Sequence, residues 1–251
     1  MRRTLLDMVQ EIQSDLDLDE IESIDDTMES EQIVVILKAT YYSMMSNRNW
    51  PHLRRSIQIE PYSDVTKPTH MKIQDEIKEL CFLNYNKANA SDTRKKYEGI
   101  KYLQPDEFIH KTNQNDDSQP TVVTVQDPGG VELFVRNDRA PTYYTSFDDS
   151  TLVFDSYDSG VDSSLQQSKV QAQAYVIPAW TSSDTFIPDL PDDAFTALVE
   201  EAKSRSSLRL RQVADQKAEQ ESGKQNRWLA RKARRVSGGI QYPNWGRAGR
   251  K

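Results

Sequence analysis

Acidic side chains are the densest supply of reactive groups in this chain. Asp148, Asp149, Asp155 and Asp158 cluster in one short stretch. A pair of such carboxylates is what glycoside hydrolysis needs, and a loop of them is what calcium needs. They sit among Ser and Thr between strand-like runs, where Asp is an ordinary turn residue, so the stretch reads as turns facing solvent. The Asp15–Asp26 region lacks the glycine and terminal glutamate of a calcium loop. His52, His70 and His110 form no HExxH pattern and no short ligand spacing. The one cysteine, Cys81, lies in the run Leu80-Cys81-Phe82-Leu83 and reads as a buried core residue. There is no GxGxxG, no GxxxxGK[ST] and no GxSxG. The expectation is no catalytic residue, no metal, no cofactor and no enzymatic activity.

The stretch richest in recognition chemistry is basic. Arg227-Trp228-Leu229-Ala230-Arg231-Lys232-Ala233-Arg234-Arg235 places arginines at helical spacing beside an aromatic ring. Such a face suits phosphates or an acidic protein surface with Trp as the anchor. Gly238-Gly239 follows, then a segment with Tyr242 and Trp245. The candidate partner-binding residues are Trp228, Arg231, Arg234, Arg235, Tyr242 and Trp245. Aromatic anchors favour a protein partner over nucleic acid.

Charge along the chain supports this reading. Residues 203–251 hold 14 Lys and Arg against three acids, whereas the chain as a whole has a net charge of −7. A basic end on an acidic body seeks a negative partner. Hydrophobic residues make up only 36%, which leaves the polar surface of a protein that packs against copies of itself. The charged start, Met1-Arg2-Arg3, leads into a stretch interrupted by Asp7, Gln10 and Glu11, unlike a signal peptide. No run approaches the roughly 20 apolar residues of a membrane span. The expected setting is soluble and reducing.

The elements that position these residues follow from periodicity. Leu5, Val9, Ile12 and Leu16 predict a helix over 4–17. Ile33, Ile36, Leu37, Tyr41, Met44 and Met45 mark the inner face of a second, from Thr27 to Ser46, capped by Asp26 with Glu29. The period then falls to two, predicting strands over 79–86, 99–103, 121–126, 131–136, 142–147, 151–156 and 169–177. Asp127-Pro128-Gly129-Gly130 predicts a hairpin turn, and Pro105 opens a short helix. From Pro191 the helical period returns, with Phe195, Leu198, Val199, Ala202 and Ser206 inward. A nearly all-polar helix follows over 215–236. The predicted fold class is α+β: an antiparallel helical bundle from residues 1–50 and 186–236, an inserted β-rich lobe over 51–185, and an extended arm over 237–251 reaching roughly 50 Å.

Taken in order, these features resemble the head-to-tail adaptor (connector) proteins of tailed phages, the tail tubular protein A family. The resemblance is carried by the early helix ending Tyr41-Tyr42-Ser43-Met44-Met45-Ser46-Asn47-Arg48-Asn49-Trp50. It continues in the β-rich insertion with Asp127-Pro128 and the Tyr143–Tyr157 segment. The helix from Pro191 with Phe195 and Ala202-Lys203 follows, then a Glu- and Gln-rich helix with a basic end before Gly238-Gly239. Each motif is weakly specific, and their order over most of the chain carries the weight. The resemblance implies a structural virion protein of the phage tail or neck, made in the host cytoplasm. It would form a ring of 12 copies between the portal protein and the tail nozzle or tail tube protein. It would support tail attachment and DNA retention and ejection, with viral DNA passing through the lumen without specific binding and no membrane involved. The rival readings are a virion-associated peptidoglycan hydrolase and a DNA-binding protein using the basic helix.

Overall fold

The computed structural model describes residues 2–62, 64, 66–88, 92–148, 150–160 and 170–237. The fold is mixed α+β. Its helices among these residues are α1 (Leu5–Asp15), α2 (Met28–Ser46), α3 (Pro105–Thr112), α4 (Phe195–Ser206) and α5 (Gln216–Ser237). The strands are β1 (Arg54–Ile57), β2 (Glu60–Pro61), β3 (His70–Lys72), β4 (Ile77–Asn86), β5 (Tyr97–Gly99), β6 (Lys101–Tyr102), β7 (Val122–Gln126), β8 (Glu132–Arg136), β9 (Tyr143–Thr145), β10 (Thr151–Phe154) and β11 (Val170–Val176). The chain divides into two compact units. One comprises Met1–Leu53 with Pro178–Lys251, the other Arg54–Ile177.

In the helical unit, α4 lies against α1, α2 and α5. The sequence places apolar residues on one stripe of each helix, and these stripes meet. Leu5, Val9 and Ile12 of α1, Ile33, Leu37 and Tyr41 of α2, and Phe195, Leu198 and Ala202 of α4 share one core, which Leu229 of α5 joins. The first helix is capped by Thr4 and Asp7, each side chain accepting from the other's backbone N–H. Helix starts leave orphan donors. Here Leu5 N donates to the Phe186 carbonyl (2.7 Å) and Leu6 N to that of Asp184 (3.2 Å). The Asp184 carboxylate also accepts from Ser23 Oγ and Ile24 N (2.9 Å for the latter), so one residue holds the α1–α2 connection to the chain returning before α4.

The α2 cap differs from the expectation of Asp26 with Glu29. Thr27 is the N-cap and Ser30 completes the reciprocal pair, each backbone N–H donating to the other's hydroxyl at 3.1 Å. Thr and Ser hydroxyls close the same ring a carboxylate would. Asp26 is engaged one turn earlier, accepting from Glu22 N and Ser23 N. Beyond α2, Trp50 is buried, its Nε1 donating to the Met44 carbonyl (3.0 Å), with the Arg48 guanidinium over its ring.

The β unit contains a four-stranded sheet, β1-β11-β4-β5, a five-stranded sheet, β2-β3-β10-β9-β6, and the hairpin β7-β8. Leu83, Tyr85, Val170 and Ala172 from the first sheet meet Met71, Tyr144, Leu152 and Phe154 from the second in one core. Val153 faces the other way and joins Phe108 of α3 with Val125, Leu133 and Val135 of the hairpin. Successive strand residues point to opposite faces, so a strand serving two cores loses the polar alternation. This accounts for β10 being buried at all four positions. The hairpin turn forms as expected: Gly130 N donates to the Asp127 carbonyl (2.8 Å), Gly129 N to Asp127 Oδ2 (3.1 Å), and Gly130 sits at φ 82°, where glycine is unstrained.

Cys81 does not take the buried place expected of it. It is exposed. The pairing of β4 with β11 runs Phe82↔Gln173 and then Leu80↔Ala174, leaving Cys81 as the extra residue of a bulge. A bulge turns its residue out of the alternation, which an apolar run cannot reveal.

Candidate functional site: the basic helix and the acidic turns

The long polar helix α5 carries the candidate arginines. Asp215 caps it, its Oδ1 accepting from Lys217 N (3.1 Å) and Ala218 N (3.0 Å). Over the described side chains, Ala218, Ser222 and Leu229 are its buried positions, lying within about 40° of one another at 100° per residue. The seam that fixes its register is largely polar. Ser222 Oγ donates to Glu201 Oε2 of α4 (2.5 Å), Asn226 Nδ2 donates to Ser222 Oγ (3.3 Å), and an Arg48 guanidinium nitrogen donates to the Asn226 carbonyl (3.4 Å). On the opposite arc Lys224 and Arg227 are exposed, and Trp228, 49% exposed, stands at its margin. The backbone positions of Arg231 and Arg234 fall on that same outer arc and that of Arg235 at its edge. With its anchored stripe on one side, α5 presents Lys224 and Arg227 on the other. Acids early and bases late also suit the helix dipole.

Of the six candidate partner residues, Trp228, Arg231, Arg234 and Arg235 therefore lie on one helix. Tyr242 and Trp245 lie outside the described residues, as does all of the expected arm except Ser237, which is the last residue of α5.

The acidic cluster is occupied by local structure. Asp148 accepts from Ser150 N and Oγ and from Thr151 N. Burial pushes its carboxyl up, but those hydrogen bonds outweigh burial and hold it below the ordinary value. A general acid needs the reverse shift. Asp155 Oδ1 accepts from Thr142 N and Tyr143 N, both 2.9 Å, and Asp158 Oδ1 from Gly160 N (3.0 Å). Asp149 lies outside the described residues. Among the described residues, no group of three His, Cys, Asp or Glu is placed to hold a metal ion.

The sequence matches no protein-family model and has no significant match among curated proteins.

One polar pair escaped the sequence reading. His70, on β3, is fully buried, with Nε2 3.1 Å from Asp127 Oδ1 and Nδ1 3.3 Å from Thr69 Oγ1. Burial pushes its pKa down against the upward pull of Asp127. The pair ties β3 to the β7–β8 turn across 57 residues of chain. A three-residue strand gives no periodicity, so nothing in the sequence marked His70 as inward.

Between the two β-unit sheets runs an apolar cavity of about 620 Å³ lined by Ile59, Ile73, Leu80, Tyr102 and Tyr144, with Lys78 among its polar residues. Cys81 and Ser146 also line it, with Glu79 beside Lys78. Among the described residues no helix is long and apolar enough to cross a membrane.

Proposed function

We propose that this chain is a head-to-tail adaptor subunit of a tailed-phage virion, repeated in a ring of about 12 copies between portal and tail. The copy number comes from the resemblance. In this reading the helices of both chain ends form the antiparallel bundle, residues 54–177 are the lobe inserted into it, and 237–251 is the arm. The observation that carries the reading is α5 itself. It is held along one face by a polar seam and Leu229, carries a basic stripe on the other, and leads directly into the Tyr242 and Trp245 segment. A helix that is polar nearly all round suits a bridge between bodies. The division into one unit built from both chain ends and one from a continuous middle segment also supports it.

The test is electron microscopy of this chain mixed with portal rings from the same virion. The expected result is a decorated ring, lost when residues 237–251 are deleted or when Tyr242 and Trp245 are both replaced by Ala. Undiminished attachment of the deleted chain defeats the role of the arm.

The exposed basic arc favours one second reading, duplex DNA binding. It requires affinity that falls steeply with salt, by about one counterion per phosphate contact. Salt-insensitive attachment to portal rings argues against it.

A further inference from the structure

Two exposed apolar patches stand on the helical unit, in segments of opposite net charge. The first is on α2. A helix in a globular unit is normally polar on its outer side, yet Met28 is 73% and Val35 57% exposed. They lie seven residues apart, hence on one face; exposed Glu31 borders it between them and exposed Lys38 one turn beyond Val35. The second patch follows α4. Residues Ser207–Arg211 form a π-helical turn, and Gln212 takes a left-handed backbone at φ 56°. Both features are uncommon and costly for residues other than glycine, and they gather where a structure serves a purpose beyond its own core. Ser207 Oγ donates to the Val213 carbonyl (2.7 Å), folding the turn back on itself. The outcome is Leu208 60% and Val213 63% exposed, with Arg209 and Arg211 exposed beside them.

Charge selects the occupant. Residues 1–53 hold eleven acids against four Lys and Arg, and residues 203–237 hold eleven Lys and Arg against three acids. Like faces would repel, so a two-fold contact of either patch with itself is disfavoured. Unlike faces attract, and a contact between two different faces of identical subunits propagates into a ring or filament. We infer that the Met28–Val35 face of α2 in one copy receives the Leu208–Val213 turn of the next, with Glu31 against Arg209. The inference rests on the adaptor reading for ring closure and copy number, and on the two patches alone for the contact.

Disulfide cross-linking of the full chain tests it, with Cys81→Ser as background. Val35→Cys and Leu208→Cys chains should each stay monomeric under mild oxidation and give linked dimers when mixed. A chain carrying both substitutions should give a ladder. Glu31→Lys should suppress the ladder, and Arg209→Glu added to it should restore the ladder. Dimers of Val35→Cys alone, or a mixture linking no faster than one with Asp117→Cys on an exposed loop, overturn the contact. If portal attachment survives that failure, the adaptor reading stands without this interface. A ladder without portal attachment defeats the adaptor reading and leaves the interface.

Discussion

The helical unit and the β unit both engage acids in caps and turns, and they differ in how far large apolar side chains reach solvent: Met28, Val35, Leu208 and Val213 are 57% to 73% exposed, against 48% for Tyr102, the most exposed of those in the β unit. In the β unit, acids close turns: Asp127 at the hairpin, Asp148 before β10, Asp155 beneath β9. Its middle strand is buried on both sides to serve two cores. In the helical unit, four helices share one core, yet large aliphatics and a basic arc remain outside it. A large apolar surface left outside the core is what association covers. The comparison is why the proposed contacts are placed on the helical unit.

The largest effect expected from breaking this contrast is at Phe154. It is fully buried and meets Tyr85 edge to face. Phe154→Ala should cost about 3–5 kcal/mol. Amide exchange should accelerate across the β unit while α1, α2 and α4 keep their protection, and equal loss in both units would erase the distinction. Asp184→Ala comes next. It strips acceptors from Ser23 Oγ and Ile24 N and should cost the helical unit about 1–3 kcal/mol, seen as a lower urea midpoint for helix loss.

A third prediction concerns pH. His70 is held below its ordinary value of 6.5 by burial. In the unfolded chain it takes up a proton near that value, and in the folded chain only at lower pH. Its contribution is therefore complete above pH 6.5 and is lost as pH falls from there through the folded value. Exchange at the β7–β8 hairpin should rise over that interval, and His70→Gln should flatten the dependence. The smallest stability effect is expected at Trp228: with half of its side chain exposed, Trp228→Ala should cost the helical unit about 1 kcal/mol and, under the proposed function, weaken portal attachment.

Periodic features were legible in the sequence. The buried residues of α2 and α4, the proline start of α3 and the Asp127–Gly130 turn each depend on neighbours within a few positions. Long-range features were not. The inward turn of His70 depends on a partner 57 residues away, and the outward turn of Cys81 on a register shift against β11. Thr27 displaced Asp26 as the cap because hydroxyl and carboxylate compete for the same ring of hydrogen bonds, and only backbone angles decide between them. The six candidate partner residues rest on charge and aromatic content alone, which need no tertiary contact to be read. The Leu208–Val213 turn was missed because its exposure depends on a π-helical step that no residue pattern encodes.

The bulge that sets Cys81 outward gives the protein a built-in attachment point. With one thiol in the sequence, and that thiol exposed on β4, a single maleimide dye marks the β unit at a known position and nowhere else. Subunit stoichiometry can then be counted by stepwise photobleaching of the otherwise unaltered chain.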